Sequence, residues 1–353
     1  MSAKIYNYFV TSNSSRNNVN YFDENVKDLE KLYILKGCSD SLKSSLMKNL
    51  GIDCFIKGYD IEYIHSSADE SFVEAVLIPA LHIGIANGSA QYISESNACN
   101  QKGEIIFLET DEETRSLLFK KDPISVLNKK IKKYYKKAYK LFNKALKMHN
   151  KLEKFHPENI SFKELCEIAD KTLKNYLSYQ ALKKEGIIRD RMSGEVTHKG
   201  FVNFVTGLTA DIGKRYFVKG PSSSGKSVLL QRIADTARER GFDVEVYHNC
   251  FDPQRLDMII VRELDLAVFD STEPNEYYPS RSSDEVIDLF GGGIALDTAK
   301  YSNKLEKIKK HYDKAVNKGT SFLKKAKKAF DDMEDEFKET ADLKKIGHLW
   351  KCF

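Results

Sequence analysis

Eight consecutive residues, Gly220-Pro221-Ser222-Ser223-Ser224-Gly225-Lys226-Ser227, fit the spacing GxxxxGK[ST]. Glycines let backbone N–H groups turn inward around phosphate oxygens, because no Cβ blocks the approach. A lysine at the seventh place brings positive charge to the β- and γ-phosphates, and the following hydroxyl can enter a Mg²⁺ shell. The flanks supply the order this chemistry needs. Arg215-Tyr-Phe-Val-Lys219 reads as a short strand, and Val228, Leu229, Ile233 and Ala237 keep helical spacing up to Gly241. A helix starting at the loop adds its positive N-terminal partial charge. Gly220 through Val228 are therefore the expected ATP-binding segment, with Lys226 also acting on the transferred phosphoryl group.

A metal carboxylate should lie at the end of another strand. Leu264-Asp-Leu-Ala-Val-Phe-Asp270 has that form, so Ser227 and Asp270 are the expected Mg²⁺ ligands. An aspartate opening an ordinary turn is the plainer alternative. Ser271 and Thr272 follow Asp270, so no glutamate stands directly after it to polarise water. Asp252 and Glu263 are the leading candidates for that base, with Glu273 behind them. Arg255, Arg262 and Arg281 are possible sources of transition-state charge, each with a surface salt bridge as the alternative.

The elements that must position these residues are written twice. A shift of 183 residues lays NVNYFDENVKDLEKLYILKGCSDSLKSSL on FVNFVTGLTADIGKRYFVKGPSSSGKSVL and continues without a gap to position 89. Identical pairs include Lys36/Lys219, Gly37/Gly220, Lys43/Lys226, Ser44/Ser227, Gly58/Gly241, His65/His248 and Asp69/Asp252. This reads as an internal duplication with the join near 180–200. The expected units are residues 1–182, with a core at 19–110 and a helical arm at 113–180, and 183–353, with a core at 200–292 and an arm at 298–350. The earlier copy has Leu42 where the later has Gly225, Asp40 within the loop, and Asn87 in place of Asp270. Leu42 would carry a left-handed backbone penalty of about 1–2 kcal/mol, and Asn87 offers no metal carboxylate. The first copy is thus expected not to bind Mg-nucleotide. His65 survives in it, which favours packing or hydrogen bonding over catalysis for His248.

Composition alone says less. The chain has 353 residues, 30% of them charged, and a net charge of +5. The balance hides a lysine-rich arm: eleven lysines between Asn128 and Lys154 against the single acid Glu153. In this arm Ile131, Tyr134, Ala138, Leu141, Ala145, Met148 and Leu152 recur at steps of three and four. Tyr312, Ala315, Gly319, Phe322, Ala326, Ala329 and Met333 do so in the other. That is the seam of a coiled coil or helical hairpin. The second arm ends acidic, Asp331 to Glu336, so antiparallel arms would pair basic with acidic, within one chain or between subunits. A solvated helix face is the plainest reading of the lysines, with a protein partner or nucleic acid as the functional one. No run reaches the roughly 18 apolar residues of a membrane helix, and the N-terminus lacks the pattern of a secretion signal. Six scattered cysteines without a CxxC fit a reducing, cytoplasmic setting.

The segments KGPSSSGKS, RGFDVEVYH, FDPQRLD and VFDSTEP resemble a family of tandem P-loop proteins from low-GC Gram-positive, often spore-forming, bacteria, described as ATPases or nucleotide-kinase-like proteins. The resemblance spans both copies and is most specific between 198 and 290. It implies a duplicated P-loop fold and ATP binding, and it supplies no substrate. Leu42 and Asn87 depart from it. The expectation is an α/β protein of two P-loop-like units with mostly parallel sheets, one competent for Mg-ATP and hydrolysing it slowly to drive a conformational or partner-binding task. A kinase acting on a small acceptor and a non-catalytic nucleotide-gated scaffold are the alternatives.

Overall fold

A computed structural model describes residues 3–12, 19–90, 103–108, 122–153, 162–177, 181–220, 224–272, 276–289 and 298–335. Two six-stranded sheets are built from successive stretches of the chain. The first contains β1 (Ile5–Tyr8), β2 (Lys31–Lys36), β3 (Ile61–His65), β4 (Val73–Ile78), β5 (Ile83–Asn87) and β6 (Gly103–Phe107), in the order β1-β3-β4-β5-β2-β6. The second contains β7 (Ile188–Met192), β10 (Lys214–Lys219), β11 (Val244–His248), β12 (Leu256–Val261), β13 (Leu266–Asp270) and β14 (Glu285–Asp288). Its order, read from β7, is β7-β11-β12-β13-β10-β14. Each sheet has one strand, β4 or β12, antiparallel to both neighbours, and every other pairing is parallel. Between β7 and β10 a separate hairpin joins β8 (Gly194–Thr197) to β9 (Gly200–Asn203). Both sheets start earlier than cores at 19 and 200 would allow, with β1 and β7.

Side-chain alternation decides the layering. In β2, Leu32 and Ile34 enter one core while Tyr33 and Leu35 enter another. In β13, Ala267 and Phe269 face one way, and Leu266 and Val268 the other. Strands buried on both faces read as continuous apolar runs for this reason. The outer face of the first sheet is covered by α2 (Asp40–Ile56) through Met47, Leu50 and Cys54. That of the second is covered by α6 (Lys226–Glu239) through Leu229, Ile233 and Ala237. The inner faces pack on each other, with Leu32, Ile34, Ala86, Phe217, Met258 and Phe269 in a single cluster. The short helices α1 (Phe22–Val26) and α5 (Val205–Leu208) join this cluster.

A charged layer crosses that shared core. Arg191, 2% exposed, sits 2.9 Å from Glu62 of the other sheet and 3.6 Å from Glu245, with its guanidinium 4.0 Å from the Tyr8 ring centroid. Burial opposes ionisation of Glu245, but Arg191 and Arg262 together hold its carboxyl below the usual range.

Three long helices complete the seven α-helices among the described residues: α3 (Asp122–Glu153), α4 (Phe162–Leu177) and α7 (Thr298–Asp335). Helices α3 and α7 pack antiparallel, since Tyr134 meets Phe322, Phe142 meets Gly319 and His149 meets Tyr312. A Cβ on Gly319 would lie 2.4 Å from the Phe142 ring, so the helices can approach this closely only at glycine. The buried stripe is wider than the three-four seam. It takes in Phe142 and Leu146, because α3 also packs on Val196 of the hairpin and on Cys250 and Phe251 after β11. No helix among the described residues is long and apolar enough to cross a membrane.

Candidate functional site

Strand β10 leads directly to Gly220, and α6 begins at Lys226. Pro221, Ser222 and Ser223 lie outside the described residues. Gly225 precedes the helix at φ +87°, a left-handed conformation that glycine adopts without penalty. It is also tightly covered: a Cβ there would lie 2.4 Å from Leu165 Cδ1, on helix α4. A Cβ on Gly220 would meet Ser224 Oγ at 2.6 Å, and that hydroxyl is buried without a hydrogen-bond partner among the described residues. Val228 is exposed on α6.

Because β10 pairs directly with β13, Asp270 leaves the sheet beside the loop. Lys226 Nζ donates to Gly220 O at 2.7 Å and lies 3.5 Å from Asp270 Oδ2. The other Asp270 oxygen accepts from Thr272 N and Oγ1. Burial pushes the Lys226 ammonium down and the Asp270 carboxyl up, so for both groups desolvation outweighs their mutual attraction. Ser227 Oγ donates to Leu256 O at 3.3 Å and accepts from Leu256 N at 3.1 Å. A hydroxyl has two acceptor lone pairs, so one remains for a cation.

A third acid joins this group. Continuing the β12–β13 register beyond Met258↔Phe269 brings Asp257 opposite Asp270. Asn249 Nδ2 donates to both Asp257 oxygens at 3.1 Å. Burial, followed by the charge of Asp270, pushes the Asp257 carboxyl up to about 7. Sequence spacing does not reveal this residue; only strand pairing does. Asp252 lies in the turn between β11 and β12 at the same end of the sheet, holding Arg255 at 3.4 Å. Arg255 is close enough to Lys226 to lower its pKa. Glu263 is elsewhere. It sits in the one-turn helix Arg262–Leu264 at the opposite end of β13, where it contacts Lys184 and the Asp243 amide. Arg262 is engaged with Glu245, and Arg281 with the Ala210 and Ile212 carbonyls. Glu273 lies outside the described residues. His248 lies 2.6 Å from Pro253 O and 2.8 Å from Asp190 Oδ1, much as His65 lies 2.7 Å from Glu70 O and 2.8 Å from Asn7 Oδ1.

The matching loop of the first half is built differently. Helix α2 starts at Asp40, three residues earlier in register than α6. Ser39 caps it by accepting from Leu42 N at 3.2 Å. Leu42 therefore sits inside a helical turn, and the left-handed penalty anticipated for it does not arise. Lys43 is fully buried, 2.7 Å from Asp40 Oδ1 and donating to Ser89 Oγ. Asn87 Nδ2 donates to Asp40 as well. The helix N-terminus holds a carboxylate from far along the chain: Glu334 of α7 accepts from Asp40 N at 2.9 Å, and from Ser41 N and Oγ at 2.8 Å each. The acidic end of the second arm thus caps α2. Beside it lies a cleft of about 1140 Å³ between the first-half loop and the Lys132, Lys136 and Lys140 face of α3. At the second-half loop, Leu165 of α4 lies against Gly225.

No protein-family model, curated protein or solved structure matches the chain.

Proposed function

We propose that the second half is a P-loop unit that binds Mg-ATP and hydrolyses it slowly, and that the first half is its duplicated, nucleotide-silent twin. The reading rests chiefly on one juxtaposition. A left-handed glycine precedes a buried helix-start lysine, whose ammonium lies 3.5 Å from an aspartate on the adjacent parallel strand. The same strand order at a 183-residue shift supports the duplication.

The residues fit the ligand. The unpartnered Ser224 hydroxyl and the N-terminus of α6 offer donors to phosphate oxygens. Lys226 would turn from the Gly220 carbonyl to the β- and γ-phosphates, and Ser227 and Asp270 would hold Mg²⁺. Bound Mg²⁺ supplies charge neutralisation between the phosphates. Asp257, beside Asp270 at the end of the sheet, would take the proton from an attacking hydroxyl, whether of water or of an acceptor. Helix α4 belongs to the first half yet lies on Gly225, so loop occupancy and helix position are mechanically linked. That link favours a conformational task over simple turnover. The exposed lysines of α3 are the surface for a partner.

Isothermal titration with Mg-ATP tests the assignment. Lys226→Ala is expected to abolish binding and Lys43→Ala to leave it within about threefold. Equal losses in the two variants would overturn the one-site reading.

A further inference from the structure

The β8–β9 hairpin follows β7 in the second half, but its tip reaches the first half. Lys199 Nζ lies 2.5 Å from Glu70 Oε1, in the turn between β3 and β4. At this contact Asp69, Glu70 and His198 bring ligand-capable atoms within 4.8 Å of one another. Glu70 Oε2 and His198 Nδ1 are buried and have no hydrogen-bond partner among the described residues. Buried polar atoms left unpaired are costly, and native proteins rarely keep them without a purpose. The third ligand is already fixed. Asp69 is 4% exposed, and its Oδ1 accepts from Ser71 N at 3.0 Å and Ser71 Oγ at 2.6 Å.

We propose that Asp69, Glu70 and His198 form a site for one divalent transition-metal ion of the zinc class, which ties the second-half hairpin to the first-half turn. One imidazole and two carboxylates are a borderline donor set suited to zinc, cobalt or manganese. Tetrahedral ligands at about 2.1 Å stand about 3.4 Å apart. The three groups already stand within 4.8 Å of one another, so small side-chain rotations bring them to that spacing, with Lys199 remaining on the other Glu70 oxygen. Lys199 on Glu70 and Lys327, 3.3 Å from Asp69 Oδ2, offset both carboxylate charges. A hard, purely electrostatic cation such as magnesium therefore gains little here, and the imidazole nitrogen decides selectivity. Asp69 borders the large cleft, which gives the ion a route in and leaves further coordination positions accessible. The second half has no copy of the site, because Pro253 stands where Glu70 would be.

The test uses the full chain, stripped with a chelator and titrated with Zn²⁺ or Co²⁺, and with Mg²⁺ as the control. Calorimetry is expected to show one Zn²⁺ per chain and melting to shift upward, with Mg²⁺ silent. Co²⁺ should give visible bands of tetrahedral or five-coordinate intensity. His198→Gln and Glu70→Gln should each weaken Zn²⁺ binding at least tenfold and erase the Co²⁺ bands. Melting in chelator shows whether each variant is folded, and the two variants cover each other if one is not. Three results would overturn the site: no stoichiometric Zn²⁺ binding by the parent chain, equal binding by both folded variants (which would place the metal on cysteines), or Mg²⁺ binding as tight as Zn²⁺.

Discussion

Replacing Gly225 with alanine asks whether the second-half loop holds the strained, covered conformation on which the phosphate-site reading depends. At φ +87° an alanine takes on about 1–2 kcal/mol of left-handed strain. Lower chain entropy in the unfolded state returns about 0.4–1 kcal/mol. The new Cβ would also stand 2.4 Å from Leu165 Cδ1, in a cluster that holds Leu229, Ile233 and Ala234 at zero exposure. Overpacking of this kind costs about 1–3 kcal/mol. The net expectation is a loss of about 2–3 kcal/mol, read from urea denaturation followed by far-ultraviolet circular dichroism. Leu165→Ala alone should lose about 2–5 kcal/mol through the cavity it leaves. Because that change also makes room for the Cβ, the double variant should be more stable than the sum of the single losses by about 1–2 kcal/mol. A Gly225→Ala protein within about 0.5 kcal/mol of the parent, or strict additivity in the cycle, would refute both the loop conformation and the contact with α4.

Two further outcomes follow from the buried charges. Arg191→Met should cost about 3–5 kcal/mol, because it strands Glu62 without its cation in the shared core and leaves Glu245 to Arg262 alone; adding Glu62→Gln should recover part of the loss in the same urea assay. Asp257 stays protonated in the folded protein up to about pH 7, whereas the unfolded chain releases that proton near pH 4. Between those values the folded state binds more protons, so its contribution makes stability fall as pH rises from about 4 to 7 and level off above. Asp257→Asn should flatten that slope, and an unchanged pH profile of the urea midpoint would remove Asp257 from the buried acid pair.

The local sequence carries the strands and the loop because their determinants are local: doubly buried strands need unbroken apolar runs, and a left-handed turn before a helix needs glycine. What covers each sheet is not local. A run such as Tyr33-Ile-Leu shows that both faces are buried, but not that one meets a helix and the other a second sheet. Edge strand β7, IRDRM, reads as too charged for a strand until Arg191 is seen bridging to Glu62. Asp257 is likewise unremarked until register sets it opposite Asp270, and Glu334 until it reaches an amide 294 residues away.

The difference between the halves is therefore more than a missing glycine. Leu42 does not sit strained in a phosphate cradle; the chain winds α2 three residues early and removes the cradle. Donors that a phosphate would have met have internal acceptors instead: Lys43 has Asp40 and Ser89, and the amides of Asp40 and Ser41 have Glu334. In the second half the Ser224 hydroxyl has no acceptor among the described residues, and Lys226 holds the Gly220 carbonyl with Asp270 at 3.5 Å. An anion competing for the first-half loop must displace a carboxylate held by three hydrogen bonds, each worth about 1.5–3 kcal/mol to a charged group. At the second it must displace Lys226 from the Gly220 carbonyl and from beside Asp270. Under the proposed function, the same ligand therefore meets more resistance at the first-half loop than at the second.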